Sequence, residues 1–237
     1  MNTKDALGEA LKDYHFNLKA EDITVFSDIS EKDVIPTNYL FRTFADMPKI
    51  EQKALEMCKG KILYVGGASG SHALFLQEKG LTVKAIDISE GAVDVMKSRG
   101  VENVEFINFF DIKHEKYDTI LLLMNGIGIA ETLEKLPTFL NQCINLLNPN
   151  GQILLDSSDI AYMFEEEDGS KWVDMNKPYH GEVVYQMQYK NTITDHFNWL
   201  FVDFDTLKKT GKTVGFKTDK ILKGEHFDFL VRLSLVG

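Results

Sequence analysis

Between Lys61 and Ser157 short apolar runs alternate with segments of helical spacing, and this rhythm leaves few folds open. KILYVG is an apolar run that stops at glycines, as a buried parallel strand does. Ser71 to Lys79 follows with Ala73, Leu74 and Leu76 at helical spacing, and Gly80 closes it as a C-cap. LTVKAIDI is a second strand. Ser89 is a good N-cap for a helix reaching about Ser98, ended by Gly100. VEFINF and YDTILLLM are a third and a fourth strand. A helix runs from about Thr132 or Pro137 to Leu147, NPNG is a turn, and QILLDS is a fifth strand. Such alternation predicts a parallel sheet covered by helices on both faces.

The flanks depart from that rhythm. Residues 1 to about 56 read as short helices and loops broken at Pro36 and Pro48. GEVVYQMQYK and HFNWLFVDF, separated by NTITD, form a predicted hairpin. After a short helix at about Asp205 to Thr213, FKTDKILK and FDFLVRLSLV form a closing hairpin, which sets an antiparallel strand into the parallel sheet. The expected division is an N-terminal cap over 1–56 and a main domain over 57–237 with an insertion at about 158–204.

In an open α/β sheet, ligands bind at the carboxyl ends of the strands, near the point where strand order reverses. The first strand ends in Gly66-Gly67-Ala68-Ser69-Gly70, small residues that allow a sharp turn and a close approach of backbone to ligand. That turn enters a helix N-terminus, which suits a carboxylate or phosphate, although a strand-to-helix turn needs no ligand. Asp87, followed by Ile88, closes the second strand and places a carboxylate where it can accept the two hydroxyl hydrogens of a ribose. An acid there also suits the start of the next helix. Asp111, at the end of the third strand, can approach an adenine amino group or serve as a turn residue. The three strand ends together point to an adenosine-containing ligand.

Other nucleotide sites fit poorly. The dinucleotide pattern GxGxxG fails from Gly66, where Ser71 takes the last place, and from Gly67, where Ser69 and His72 stand. GxxxxGK[ST] is absent. A formal charge of -10 disfavours a broad phosphate-binding surface, so nucleic acid is not expected as a partner. Cys58 and Cys143 lie far apart without other ligand residues nearby, which predicts buried thiols, no metal and a reducing compartment. No apolar stretch reaches membrane-span length and the start has no apolar signal core, so the expectation is a cytoplasmic protein away from membranes.

The stretch ILYVGGASGSHALFLQEKG, with VKAIDIS, VEFINFFDI, YDTILLLMNGIGI and INLLNPNGQILLD, resembles the core of class I S-adenosylmethionine-dependent methyltransferases over about residues 61–157. The resemblance implies an α/β fold: a three-layer Rossmann-like sheet, mostly parallel, with an antiparallel last strand and here an inserted β-hairpin after strand five. It implies S-adenosyl-L-methionine as cofactor. Gly66, Gly67, Ala68 and Gly70 would lie by the methionine moiety, Asp87 with Ile88 by the ribose, and Asp111 by adenine. Asn125 and Gly126 would face the methyl group or acceptor.

Two positions depart from that pattern. Tyr64 stands where the family usually has an acid, so either another carboxylate, Glu51 or Asp156, balances the ligand's ammonium or cofactor affinity is reduced; the alternative function is a cofactor-binding module without catalysis. Ala68 stands where a glycine is usual, a mild change if its φ is negative. The expected acceptor is a small molecule. No catalytic residue is fixed by the sequence. Asp159, His180 and Tyr185 are candidates for a general base, each with a plainer reading as a helix cap, a loop histidine and a packed strand residue. Segment 157–189, with Tyr39, Phe41 and Arg42, is expected to form a lid with an aromatic wall; the competing expectations are that these aromatics belong to the core or that the 181–204 hairpin serves as a homodimer surface. Arg42 is also a candidate partner for the cofactor carboxylate.

Overall fold

The structure is a computed structural model and describes residues 4–17, 20–164 and 179–236. Helix α1 (Ala6–Lys12) is followed by strands β1 (Ile23–Ser27) and β2 (Asp33–Ile35), then by a 3-10 turn at Thr37–Phe41 and helix α2 (Lys49–Met57). The alternating region gives β3 (Lys61–Val65), α3 (Ser71–Glu78), β4 (Thr82–Asp87), α4 (Glu90–Ser98), β5 (Val104–Phe106), β6 (Tyr117–Leu122), α5 (Leu136–Leu146) and β7 (Leu147–Ser158). Beyond it lie β8 (Glu182–Tyr189), β9 (Thr192–Ile193), β10 (Phe197–Leu200), α6 (Phe204–Thr213), β11 (Phe216–Lys223) and β12 (Asp228–Leu235).

Among the described residues the main sheet has seven strands in the order β11-β12-β7-β6-β3-β4-β5. The pairs among β3 to β7 are parallel, and β12 runs antiparallel to both β7 and β11, as expected. Strand order reverses between β3 and β6, which opens the switch-point crevice above their carboxyl ends. Alternation along β3 sends Leu63 and Val65 into a core with Phe139, Leu140 and Cys143 of α5, and Ile62 and Tyr64 into a second core with Ala54, Ala73 and Leu76. Each large apolar side chain buried this way contributes about 1.5–3 kcal/mol, so the three layers hold the strand ends firmly. Cys143 is buried and Cys58 half-buried, both as free thiols, and burial pushes Cys58 up to about 12. Among the described residues no helix is long and apolar enough to cross a membrane.

Three sequence expectations need correction. The N-terminal region is not only helices and loops: β1 and β2 pair with each other, and β1 also pairs with β8. A second sheet, β10-β8-β1-β2 with β9 on β8, therefore joins the predicted hairpin to the chain's beginning. Both N-terminal strands are short and flanked by acids, and β1, on which β2 pairs, has its other partner strand over 150 positions away, so local pattern under-reports them. NPNG is not a turn before a strand but a bulge within β7: Tyr117 faces Leu147 while Thr119 faces Gln152, and Asn150 takes φ +64°. Finally, β5 stops at Phe106, so Asp111 lies beyond the strand, on a 3-10 turn at Phe109–Asp111.

Candidate active site at the carboxyl ends of the strands

The bend after β3 is built from left-handed residues, with φ +73° at Gly66, +46° at Ala68 and +84° at Gly70. Its glycines face different ways. A Cβ on Gly67 would meet Met96 Sδ at 2.5 Å and one on Gly70 would meet Val101 at 2.9 Å, so both are there for close packing on the helix layer. A Cβ on Gly66 would enter the crevice, where the nearest atom is Ile129 Cδ1 at 4.0 Å. Gly66 is the glycine that leaves room for a ligand. Ala68 was expected to be a mild change on the condition of negative φ; that condition fails, and the residue holds a conformation costly for any side chain. What the bend gains is an aimed amide: Ala68 N–H donates to Asp87 Oδ2 at 2.9 Å.

Asp87 closes β4 and is only 7 % exposed. Ser89 N–H donates to Oδ1 at 2.9 Å, and the two oxygens keep further lone pairs for hydroxyl donors. Burial raises its carboxyl above the ordinary range, with the amides of Ala68, Ser89 and Ile88 pulling the other way and Asp5 adding to the rise. Ile88, next in the chain, is 68 % exposed, and Phe110, just before exposed Asp111, is exposed too. A buried carboxylate with uncovered apolar side chains beside it has the chemistry of a nucleoside cradle: hydroxyls bound on one side, a flat ring on the other.

The opposite end is occupied by a buried relay that local reading did not assemble. The Tyr64 hydroxyl lies 2.7 Å from His72 Nδ1, and His72 Nε2 lies 2.7 Å from Glu51 Oε2. Glu51 also pairs with Arg42, which donates through Nη1 to the Tyr39 carbonyl at 2.7 Å and lies with its guanidinium 4.0 Å over the Tyr39 ring. The Tyr64 hydroxyl and both His72 ring nitrogens are satisfied when Tyr64 donates to Nδ1 and Nε2–H donates to Glu51, while Arg42 Nε stays buried without an acceptor. Burial would raise the Glu51 carboxyl, but His72 and Arg42 outweigh it and hold it below the usual range. Tyr64 turns into this network and does not fill the space by Gly66. The 3-10 turn that carries Tyr39 is tied to the glycine bend, because Ser69 and Ser71 hydroxyls both donate to the Leu40 carbonyl.

Asp156, on β7, is the other carboxylate at this end. Asn125 N–H donates to its Oδ1 at 2.9 Å, and Asn125 sits with Met124 in a left-handed turn at φ +56° and +62° just past β6. Two successive non-glycine residues in that region cost roughly 1 kcal/mol or more each, a strain characteristic of functional turns. The Asn125 amide nitrogen donates to the Leu200 carbonyl at 3.1 Å, which fixes the amide and leaves its buried Oδ1 without a donor. Gly126 packs on Leu122, where a Cβ would sit 2.7 Å away.

The three base candidates are placed differently. His180 Nε2 lies 3.6 Å from Asp159 Oδ1, so the structure brings these two together, half-exposed; Asp159 also accepts the Ala161 N–H at 3.0 Å, the capping contact expected of it. Tyr185 is on β8, its ring 6.1 Å from that of Phe197, and it packs in the cluster that holds Ala68.

The second sheet roofs the crevice and is fastened on both sides. On one, α1 meets α4 so closely that a Cβ on Gly91 would stand 2.5 Å from Gly8 Cα, and Asp5 accepts from the Ser89 hydroxyl at 2.8 Å. On the other, the Trp199 indole of β10 lies where a Cβ on Gly128 would be, 2.1 Å from its ring atoms.

The family model described as "Methyltransferase domain" matches residues 63–155. A crystal structure of an S-adenosylmethionine-dependent methyltransferase from Bacteroides fragilis, in complex with S-adenosyl-L-homocysteine, is 46 % identical with a TM-score of 0.92 and covers 98 % of this chain and 95 % of its own. An uncharacterized methyltransferase of Staphylococcus carnosus (strain TM300) is 22 % identical over 191 residues, 81 % of this chain and 86 % of that protein. The sugar N-methyltransferase KedS8 from Streptoalloteichus shares the fold, with 13 % identity, a TM-score of 0.56, and coverage of 78 % of this chain and 85 % of its own. A relative 46 % identical over nearly its whole length and a crevice with the chemistry of a nucleoside–amino acid site lead to one assignment: this chain belongs to the S-adenosylmethionine-dependent methyltransferases and uses S-adenosylmethionine as its cofactor.

Proposed function

We propose that this methyltransferase acts on a small molecule enclosed between the strand ends and the second sheet. The observation that carries this reading is the roof itself. It is assembled from two distant stretches of sequence, β1–β2 and β8–β10, and clamped at Gly91 and at Gly128, which favours a small acceptor over a folded macromolecule at the crevice. Fold likeness to a protein named as a sugar N-methyltransferase supports the reading. The formal charge of -10 weighs against nucleic acid as the alternative. In domain terms the N-terminal segment and strands β8 to β10 of the insertion together form the cap of the catalytic domain, and residues 165–178 of the expected lid lie outside the described residues.

When bound, the cofactor supplies a methyl group on a sulfonium sulfur, open to in-line displacement. The residues present fit it. Gly66 leaves the space, Asp87 accepts ribose hydroxyls, Ile88 and Phe110 offer apolar surface to the adenine with Asp111 at its rim, and Asn125 stands at the methyl side. The protein's contribution is alignment and exclusion of water, which Tyr185, Met187 and the rest of the roof provide over Ala68. The Asp159–His180 pair stands half-exposed.

The test is transfer of isotope-labelled methyl from S-adenosylmethionine into a cell extract split by ultrafiltration. Label is expected in the low-molecular-weight filtrate. Label confined to the protein or nucleic-acid retentate would end the small-molecule reading.

A further inference from the structure

We propose that the acceptor is an amine, and that Asp156 binds its ammonium form and takes its proton, with Asn125 Oδ1 receiving a second N–H. The inference rests on the small-molecule reading above and names the substrate's reacting group.

Two observations at one place carry it. Asp156 is aimed by β7 at the acceptor side of the switch point, two strands away from β3 (order β7-β6-β3), on the face it shares with Tyr64. Its hydrogen bonds come from the backbone of Asn125 and Gly126, and among the described residues it forms no ion pair. The contrast with Glu51 is direct, since the charge of Glu51 is matched by Arg42 and His72. Beside Asp156, Asn125 Oδ1 is buried without a donor, and the bond from its own Nδ2 to Leu200 prevents a simple flip of the amide. The site thus presents a carboxylate held by backbone amides, with no cation paired to it among the described residues, and an amide oxygen that has no donor. An ammonium carries a positive charge and up to three donors. A hydroxyl has one donor and no charge, and would leave one of the two acceptors unmet.

The groups facing Asp156 are Glu51 of α2, Tyr64 of β3 and Tyr39 of the 3-10 turn, and the cation among them, Arg42, is already paired with Glu51. Burial pushes the Asp156 carboxyl up to about 7, partly offset by the Asn125 and Gly126 amides, so it can take a proton near neutral pH and return it to solvent. The chemistry balances. One N–H proton of the ammonium passes to the Asp156 carboxylate and leaves a neutral amine. The nitrogen lone pair forms the new N–C bond as the methyl C–S bond breaks, and that pair stays on sulfur, which becomes the neutral thioether. The methylammonium product leaves, and Asp156 releases its proton to water.

The test uses matched probes on the full chain loaded with S-adenosylhomocysteine: benzylamine and benzyl alcohol, cyclohexylamine and cyclohexanol, glucosamine and glucose. Calorimetry is run at pH 8 and pH 5.5 on the wild type, Asp156→Asn and Asp156→Ser, and methyl transfer is read by mass. At least one amine is expected to bind the wild type about tenfold tighter than its alcohol at pH 8, a charge-assisted difference. That preference should shrink at pH 5.5, where Asp156 is protonated, and vanish in both variants, while affinity for S-adenosylhomocysteine stays within about twofold. The inference is overturned if no amine binds, if alcohols bind as well, or if either variant keeps the preference. It is also overturned if the variants lose S-adenosylhomocysteine, which would put Asp156 against the cofactor's own ammonium. Methylated alcohols made equally well by the variants would remove the amine and leave the small-molecule acceptor standing; label confined to macromolecules would remove both.

Discussion

The two ends of the crevice solve the same electrostatic problem in opposite ways. At the end proposed for the nucleoside, Asp87 is held by backbone amides of Ala68 and Ser89, from the bend beside it and from its own strand end. No side-chain cation is needed, and the carboxylate's remaining lone pairs stay available to a ligand. At the other end Tyr64, His72, Glu51 and Arg42 come from β3, α3, α2 and the residue after the Thr37–Phe41 turn, and they neutralise one another. A carboxylate fixed by amides keeps its charge for a ligand, whereas one fixed by an arginine has already used it. The exchange of the family's usual acid for Tyr64 is thus absorbed by the protein's own packing, and Asp156 is left as the uncompensated carboxylate at that end.

The largest expected effect is on this self-neutralised relay. Glu51→Ala leaves Arg42 and His72 buried without the carboxylate that both share, and breaking a buried pair from one side costs about 3–5 kcal/mol. Urea unfolding at pH 7 measures it. The sign of the pH dependence follows from the depressed Glu51 carboxyl: its stabilisation is present above the unfolded value near 4.5 and is lost as pH falls through the lower folded value. The gap between wild type and variant should therefore close in acid. A loss under about 1 kcal/mol would show that Arg42 finds solvent or another partner, and would revive its pairing with the cofactor carboxylate.

Next in size is the amide-held end. Asp87→Ala removes the acceptor for two ribose hydroxyls and orphans the Ala68 and Ser89 amides, so affinity for S-adenosylhomocysteine should fall by about tenfold to a hundredfold in calorimetry. Unchanged affinity would detach Asp87 from the ligand altogether. Tyr64→Phe separates the two ends further. It leaves His72 Nδ1 buried without its donor, at a cost of roughly 1–2 kcal/mol in stability, and should leave S-adenosylhomocysteine affinity within about twofold. A tenfold loss of affinity with intact stability would instead make the Tyr64 hydroxyl a cofactor ligand.

The same contrast explains what the sequence disclosed. The glycine bend, Asp87 and the parallel strands around them depend on spacing within one strand–turn–strand unit, where local pattern carries the information. The relay does not: Arg42, Glu51, Tyr64 and His72 each look ordinary in their own window, and tertiary packing alone brings them into contact. The only hint was the anomaly at Tyr64 itself, which demands a compensating group without saying which. Asp156 was legible as a carboxylate at a strand end, but its lack of a cation is a property of everything around it. Strands β1 and β2 were missed for a related reason, since a five-residue and a three-residue run become strands only once β8 is alongside. Ile-Thr-Val-Phe in β1 was the available signal, a β-branched and aromatic run in a region otherwise read as helical.

The smallest effect weighs strain against packing within the bend. Ala68 sits at φ +46°, where a side chain costs about 1–2 kcal/mol, yet its methyl packs in the cluster with Tyr185 and Met187, a contact worth at most about 0.8 kcal/mol. Glycine removes the strain and loses the methyl, and it also has more unfolded freedom to give up, roughly 0.5 kcal/mol. The sum favours Ala68→Gly by about 0.5 kcal/mol or less in urea unfolding, with Asp87 still receiving the residue 68 N–H and S-adenosylhomocysteine binding unchanged. A loss above about 1 kcal/mol would show that contact with the roof outweighs backbone strain. The alanine would then be a roof-side anchor, and the amide-held end of the crevice would depend on the second sheet as much as on its own backbone.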